Sequence, residues 1–158
     1  MHVPSFNIDH DKLNRGVYVS RIDYVGEYPL TSFDIRIKRP NIEPPIDFAA
    51  LHTLEHFFAV FLRNPENKIA EDVIYVGPMG CRTGMYLVLK GDKKPKEIIE
   101  TLKEICKYII TFEGEVPAST SKECGNYKEH NLNFAKYEAR KYLEEVLEVI
   151  KEENMIYP

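Results

Sequence analysis

The sequence has no apolar run near the roughly 20 residues that a membrane-spanning helix needs, so a helical membrane protein is excluded. The opening Met1-His2-Val3-Pro4-Ser5 carries neither the basic nor the apolar region of a signal peptide, and the expectation is a cytoplasmic protein. Positive charge is also in short supply. With 21 Lys and Arg against 25 Asp and Glu, the formal net charge is -4, which argues against a phosphate-tracking surface and hence against nucleic acid as partner. The basic run Lys90 to Lys96 (KGDKKPK) is short, interrupted and placed at a turn, so it reads as solvated surface.

Cysteine is scarce. Three thiols, Cys81, Cys106 and Cys124, in a reducing compartment read as free thiols or ligands and not as a disulfide framework. No G-x-G-x-x-G run exists to cradle a dinucleotide, and no low-complexity segment or internal period is found. What remains is a chain of 158 residues, 44% hydrophobic and 29% charged, long enough to build one core unaided.

Gly16 to Val25 and Thr31 to Lys38 alternate apolar with polar around a Gly26-Glu27-Tyr28-Pro29 turn. They predict two antiparallel strands with Phe33, Ile35 and Ile37 inward and Asp34, Arg36 and Lys38 on a wet face. Asp47 is a plausible N-cap for a helix to about Arg63, stopped by Asn64-Pro65. Val73 to Val76 and Met85 to Lys90 read as two further strands around GPMGCRTG. Helical periodicity then predicts a helix from Pro95 to about Phe112, with Cys106 in its packed face, and a last helix from about Asn126 to Glu153. The order implies an α+β fold, a mainly antiparallel sheet with helices packed on one face, in a single catalytic domain over residues 1–158.

LHTLEHFFAV, residues 51–60, sets three ionisable groups into an oily helix. His52 and His56, four apart, project from one side and can hold one metal ion. Glu55 flanks them, placed as a proton carrier. The bland alternative is a pair of core histidines bonded to backbone, and it must satisfy three buried polar groups at about 1–3 kcal/mol for each one left unpaired. A third ligand must come from elsewhere. Cys124, read at the start of the last helix where the dipole favours a thiolate, would complete a site of two imidazoles and one thiolate with a fourth position open for substrate. Cys81, in the tight glycine-rich turn, is a candidate acid/base or nucleophile, its thiolate favoured if Arg82 faces it. One competing reading is an inverted-motif (H-x-x-E-H) metallopeptidase, which needs a carboxylate such as Glu129 or Glu138 as third ligand and has no use for Cys81.

Taken together, HTLEH at 52–56, PMGC at 78–81 with Thr83-Gly84, Glu123-Cys124-Gly125 and Lys128-Glu129-His130 resemble the S-ribosylhomocysteine lyase family, the LuxS or autoinducer-2 synthases. Ser5 to His10, Phe33-Asp34-Ile35-Arg36 and Pro40-Asn41 carry the same resemblance, in family order over nearly the whole chain. It implies a cytoplasmic homodimer, with active sites at the interface, that cleaves S-ribosylhomocysteine to homocysteine and 4,5-dihydroxy-2,3-pentanedione, a step of the methyl cycle whose product is the quorum-sensing autoinducer-2 precursor. It further implies one divalent metal per subunit, Fe²⁺ replaceable by Zn²⁺ or Co²⁺, on His52, His56 and Cys124. Glu55 and Cys81 match the acid/base pair, while Ser5, His10 and Arg36 match sugar contacts and Arg63 a contact to the homocysteine end across the dimer. The chain departs from the family's usual pattern at Tyr75, commonly acidic, at Gly77, commonly serine, and at Arg82, commonly glutamine. The acidic residue helps anchor the amino-acid end of the substrate, so that contact is not carried over.

Overall fold

The computed structural model describes residues 6–158. Strands β1 (Gly16–Val25) and β2 (Tyr28–Arg36) form the expected hairpin, with Gly26 at φ 63 in its two-residue turn. The chain then rises into helix α1 (Phe48–Leu62) and returns through β3 (Val73–Pro78) and β4 (Gly84–Lys90). All pairings are antiparallel, in the order β1-β2-β4-β3. Helices α2 (Ile99–Thr111) and α3 (Leu132–Glu145) follow, and α1, α2 and α3 pack on one another with α1 against β3. Among the described residues no helix is long and apolar enough to cross a membrane.

The α+β architecture is as the periodicity implied. Phe33 and Ile35 of β2, with Met85, Leu87 and Leu89 of β4, point toward the helices and are fully buried. They meet Phe57 and Leu62 of α1, Leu102, Ile105 and Ile109 of α2, and Ala135 of α3 in one continuous core. Cys106 packs there, as its place on the apolar face of α2 required. Helix α1 starts where Asp47 accepts the Ala50 backbone N–H through its side chain at 3.1 Å, an N-cap that satisfies one of the orphan donors of the first turn.

Three expectations fail. The face of β2 read as wet is covered: Asp34 is 1% and Arg36 2% exposed, because Tyr18 of β1 and Tyr86 of β4 flank Asp34 in register and the C-terminal segment lies on it through Tyr157. Period-two alternation tells which residues share a face and not whether that face meets water. Lys38, beyond the end of β2, pairs with Glu138 of α3 at 2.6 Å, both side chains under a tenth exposed. The last helix is also shorter than its apolar spacing suggests. It begins only at Leu132, capped by the Asn131 side chain, and gives way after Glu145 to two short 3₁₀ turns. Cys124 is therefore not at a helix N-terminus, and the helix-dipole argument does not apply to it.

A candidate metal centre and its flanking thiol

α1 presents His52 and His56 toward the loop that precedes α3, and that loop returns Cys124 and His130 to them. The ligand atoms of the four residues all lie within 4.8 Å of one another. The Cys124 Sγ stands 3.3 Å from His52 Nε2 and accepts the Asn126 backbone N–H at 3.4 Å.

Hydrogen bonds decide which nitrogens are free. His52 Nδ1 lies 2.8 Å from the Glu129 carbonyl and His56 Nδ1 2.8 Å from the Pro117 carbonyl. A carbonyl only accepts, so each Nδ1 carries the proton and each Nε2 keeps its lone pair. Backbone carbonyls behind ligating imidazoles are the usual means of fixing tautomer and ring orientation at a metal.

His130 follows the same logic through Thr53, the fully buried second residue of HTLEH. The single hydroxyl proton of Thr53 goes to the Ala49 carbonyl at 2.8 Å. Its oxygen accepts from the Asn131 backbone N–H at 2.9 Å and therefore also from His130 Nδ1 at 3.2 Å. His130 Nε2 is left as a buried nitrogen with no partner. Burial, then the neighbouring His52 and His56, push its pKa down to about 4, so at pH 7 it is neutral, the state in which a ring nitrogen can bind a metal. Its ring stacks on His52 with centroids 4.2 Å apart. Three imidazole lone pairs and a sulfur, all within 4.8 Å of one another, fit a divalent metal of the zinc or iron type.

The sequence pointed to His52, His56 and Cys124, and the structure brings them together. It did not single out His130, which appeared only within the Lys128-Glu129-His130 run. The available signal was a histidine shortly after the candidate cysteine in a loop, a spacing that no helix or strand period marks. Of the two carboxylates offered for a peptidase reading, Glu138 is paired with Lys38 away from the cluster, and Glu129 accepts from the Asn126 side-chain amide and is not in the cluster.

Glu55 Oε2 lies 3.8 Å from His56 Nε2. With His52 it lines a cavity of about 420 Å³ that is walled also by Phe48, Leu51, Met79 and Gly80. Cys81 lines a second concavity of about 420 Å³ with His10, Asn41, Glu43 and Thr83. The turn between β3 and β4 contributes to both. It is braced by Met79 N–H to the Gly84 carbonyl at 3.0 Å and Arg82 N–H to the Met79 carbonyl at 2.9 Å, and a Cβ on Gly84 would run into the Ile35 carbonyl.

Arg82 sits in that turn at φ 59, and it does not face Cys81. Its guanidinium lies over the Phe48 ring, 4.0 Å from the centroid, and donates to the Ile46 carbonyl at 3.1 Å. The cation beside Cys81 is Arg36, whose Nη1 is 3.9 Å from Sγ and 2.7 Å from Thr83 Oγ1. Burial opposes the Arg36 charge, but the Asp34 carboxylate outweighs it and raises the guanidinium pKa above its ordinary value. His10 lines the Cys81 concavity, held by an Nδ1 contact to the Ile8 carbonyl at 2.8 Å. Ser5 lies outside the described residues. Arg63 caps α1 and donates to the Ile74 carbonyl at 3.1 Å, roughly 16 Å along the helix from His52.

The match to known proteins runs over the same elements. The model of the family described as S-Ribosylhomocysteinase (LuxS) matches residues 3–153. The chain belongs to the LuxS family. Among relatives of this LuxS chain, the S-ribosylhomocysteine lyase of Finegoldia magna is 51% identical over 156 residues, covering 99% of this chain and 97% of its own length. The lyases of Phocaeicola vulgatus and Borreliella burgdorferi are each 52% identical, over 99% of this chain and 96% and 98% of theirs. Within that family frame Tyr75 points away from the metal cluster, into a separate concavity of about 290 Å³ with Ser20, Arg21, Ser32 and Tyr86.

Proposed function

We propose that this LuxS chain is an S-ribosylhomocysteine lyase, a carbon–sulfur lyase releasing homocysteine and 4,5-dihydroxy-2,3-pentanedione. The observation that carries the reading is the convergence of His52, His56 and Cys124 beside Glu55, in a chain about half identical to lyases of that name over its whole length.

The thioether of this substrate is remote from the sugar carbonyl. The carbonyl must move along the chain until the carbon bearing sulfur is β to it, after which loss of the proton between them expels the thiol. Each move takes a proton from a carbon next to a carbonyl and returns it to a neighbour, so no net oxidation occurs and no redox cofactor is required.

His52, His56 and Cys124 would hold a divalent cation, which would supply Lewis-acid stabilisation of negative charge on the sugar oxygens. Cys81, as thiolate beside Arg36, takes and returns the carbon-bound protons. Glu55 moves protons among the oxygens and at the elimination. Phe48, Leu51 and Met79 give the Glu55 side an apolar wall, while His10 and Arg36 on the Cys81 side, with Ser5, hold the sugar hydroxyls.

Fe²⁺ is the metal we assign, with Zn²⁺ or Co²⁺ able to replace it, in a cytoplasmic homodimer. Arg63 is too far along α1 to reach the His52 cavity of its own subunit, so its contact with the homocysteine end requires a site formed between subunits. His130, its ring stacked on that of His52 and its Nε2 within the same cluster, is a further donor available to the metal. The test is thiol release from S-ribosylhomocysteine, run anaerobically with Fe²⁺. Release that is lost in Cys81→Ala with metal retained supports the reading; no release from fully metallated dimer overturns it.

A further inference from the structure

A chain of hydrogen bonds runs from the C-terminal segment to the thiol of the β3–β4 turn. The Tyr157 hydroxyl donates to Asp34 Oδ2 at 2.8 Å. Asp34 receives Arg36 through both oxygens, from Nε at 3.0 Å and Nη2 at 2.6 Å. The remaining Arg36 nitrogen, Nη1, holds Thr83 Oγ1 at 2.7 Å and faces the Cys81 Sγ at 3.9 Å, and Thr83 Oγ1 is itself 3.1 Å from that sulfur. Planar guanidinium geometry couples these contacts: a carboxylate gripping Nε and Nη2 fixes the direction of Nη1.

The segment bearing Tyr157 is anchored by several independent contacts. The Tyr157 ring stacks on Tyr18 with centroids 4.8 Å apart and planes 12° from parallel. Asn154 donates to the Arg15 carbonyl at 3.1 Å, and Glu152 pairs with Lys96 at 3.0 Å. Burial, then the Asp34 charge, raise the Tyr157 pKa, so the hydroxyl remains a donor throughout the working pH range. Tyr157 lies beyond the residues that the family model matches, 3–153.

We propose that Tyr157 is a positioning residue: it ties the C-terminal segment to Asp34, and through Asp34 it holds Arg36 aimed at the Cys81 thiol. The role rests on the reading of Cys81 as a proton carrier. Without the hydroxyl, Asp34 loses its third hydrogen bond, its uncompensated charge grows, and Arg36 is drawn toward it at the expense of Cys81. The groups facing this network are Asp34 and Arg36 from β2, Tyr86 from β4, Tyr18 and Arg21 from β1, and Glu153 from the C-terminal segment. His10 and Glu43 stand across the concavity.

The test compares wild type with Tyr157→Phe, which keeps the ring stack and removes only the hydroxyl, and with a chain ending at Ile156. In metal-loaded protein, iodoacetamide alkylation of Cys81 is followed across pH by mass spectrometry, alongside kcat and KM for thiol release. Tyr157→Phe is expected to slow Cys81 alkylation at pH 7 roughly three- to tenfold, to move the alkylation profile to higher pH, and to lower kcat with KM nearly unchanged. The shortened chain is expected to shift the profile the same way. Alkylation profiles indistinguishable from wild type in both variants overturn the proposal, and so does a shift in the shortened chain alone, which would mean that the tail only packs. Absence of thiol release from wild type would instead overturn the lyase assignment, and the alkylation comparison would still decide the role of Tyr157.

Discussion

The Tyr75 hydroxyl rests against Gly77, in the space where a Cβ on residue 77 would stand. The two positions at which β3 departs from the usual LuxS pattern are thus one change: a tyrosine that folds back along its own strand needs a glycine two residues on. Gly77→Ser alone must turn Tyr75 out of its concavity, whereas Tyr75→Asp with Gly77→Ser removes the conflict. A double-mutant cycle on thermal stability is expected to show coupling of about 0.5 kcal/mol or more between them. Additive effects would mean that Tyr75 moves aside freely.

The three thiols differ enough to be counted separately. Cys106 is buried and pushed up to about 12 by desolvation, while Cys81 is exposed and Cys124 part-buried in the metal cluster. Titration with an aromatic disulfide should find one reactive thiol in metal-loaded protein, a second after chelation and the third only on unfolding. A second thiol reacting with metal in place would remove Cys124 from the ligand set.

Lys38 and Glu138 form a buried ion pair that joins the end of β2 to α3. Lys38→Met leaves the carboxylate buried without a counter-charge, and a loss of about 3–5 kcal/mol is expected in denaturant unfolding. Adding Glu138→Leu should recover most of it, since an apolar pair avoids the desolvation cost altogether. If the double variant is no more stable than the single, Glu138 has a partner other than Lys38.

Acid should weaken the contact between α3 and the segment before β1. The Arg15 hydrogen bond and charge hold the Glu145 carboxyl below its ordinary 4.5, with Arg15 Nη1 2.6 Å from Oε2. A depressed carboxyl adds stability above its unfolded pKa and loses it as pH falls through the folded one. Melting temperatures of wild type and Glu145→Gln should therefore differ slightly at pH 6 and converge below pH 4.5; because the side chain is 45% exposed, the gap should shrink further in high salt. A gap that widens in acid would contradict the assignment.

Much of this protein is legible locally. The α1 helix, its Asp47 cap and its Asn64-Pro65 stop, the two hairpins, and the pairing of His52 with His56 all follow from periods of two and four residues. The third candidate ligand, Cys124, was legible as a residue type, a thiol read as a ligand and not as part of a disulfide framework, although the helix expected to follow it begins only at Leu132. What spacing cannot reach are contacts between elements. His130 joins the cluster only because Thr53 holds the loop before α3, and Arg36 rather than Arg82 meets Cys81 because the β3–β4 turn directs Arg82 onto Phe48.

The sequence by itself determined the element types, the core faces, the two candidate ligands on α1 and the chemistry they permit, because those depend on backbone periodicity and side-chain type within a few residues. Only the tertiary structure decided which nitrogens keep their lone pairs, which cation stands beside the reactive thiol, and that Asp34 and Arg36 are buried. Each of those depends on what a distant segment places opposite a side chain, and burial multiplies the strength of every charge involved.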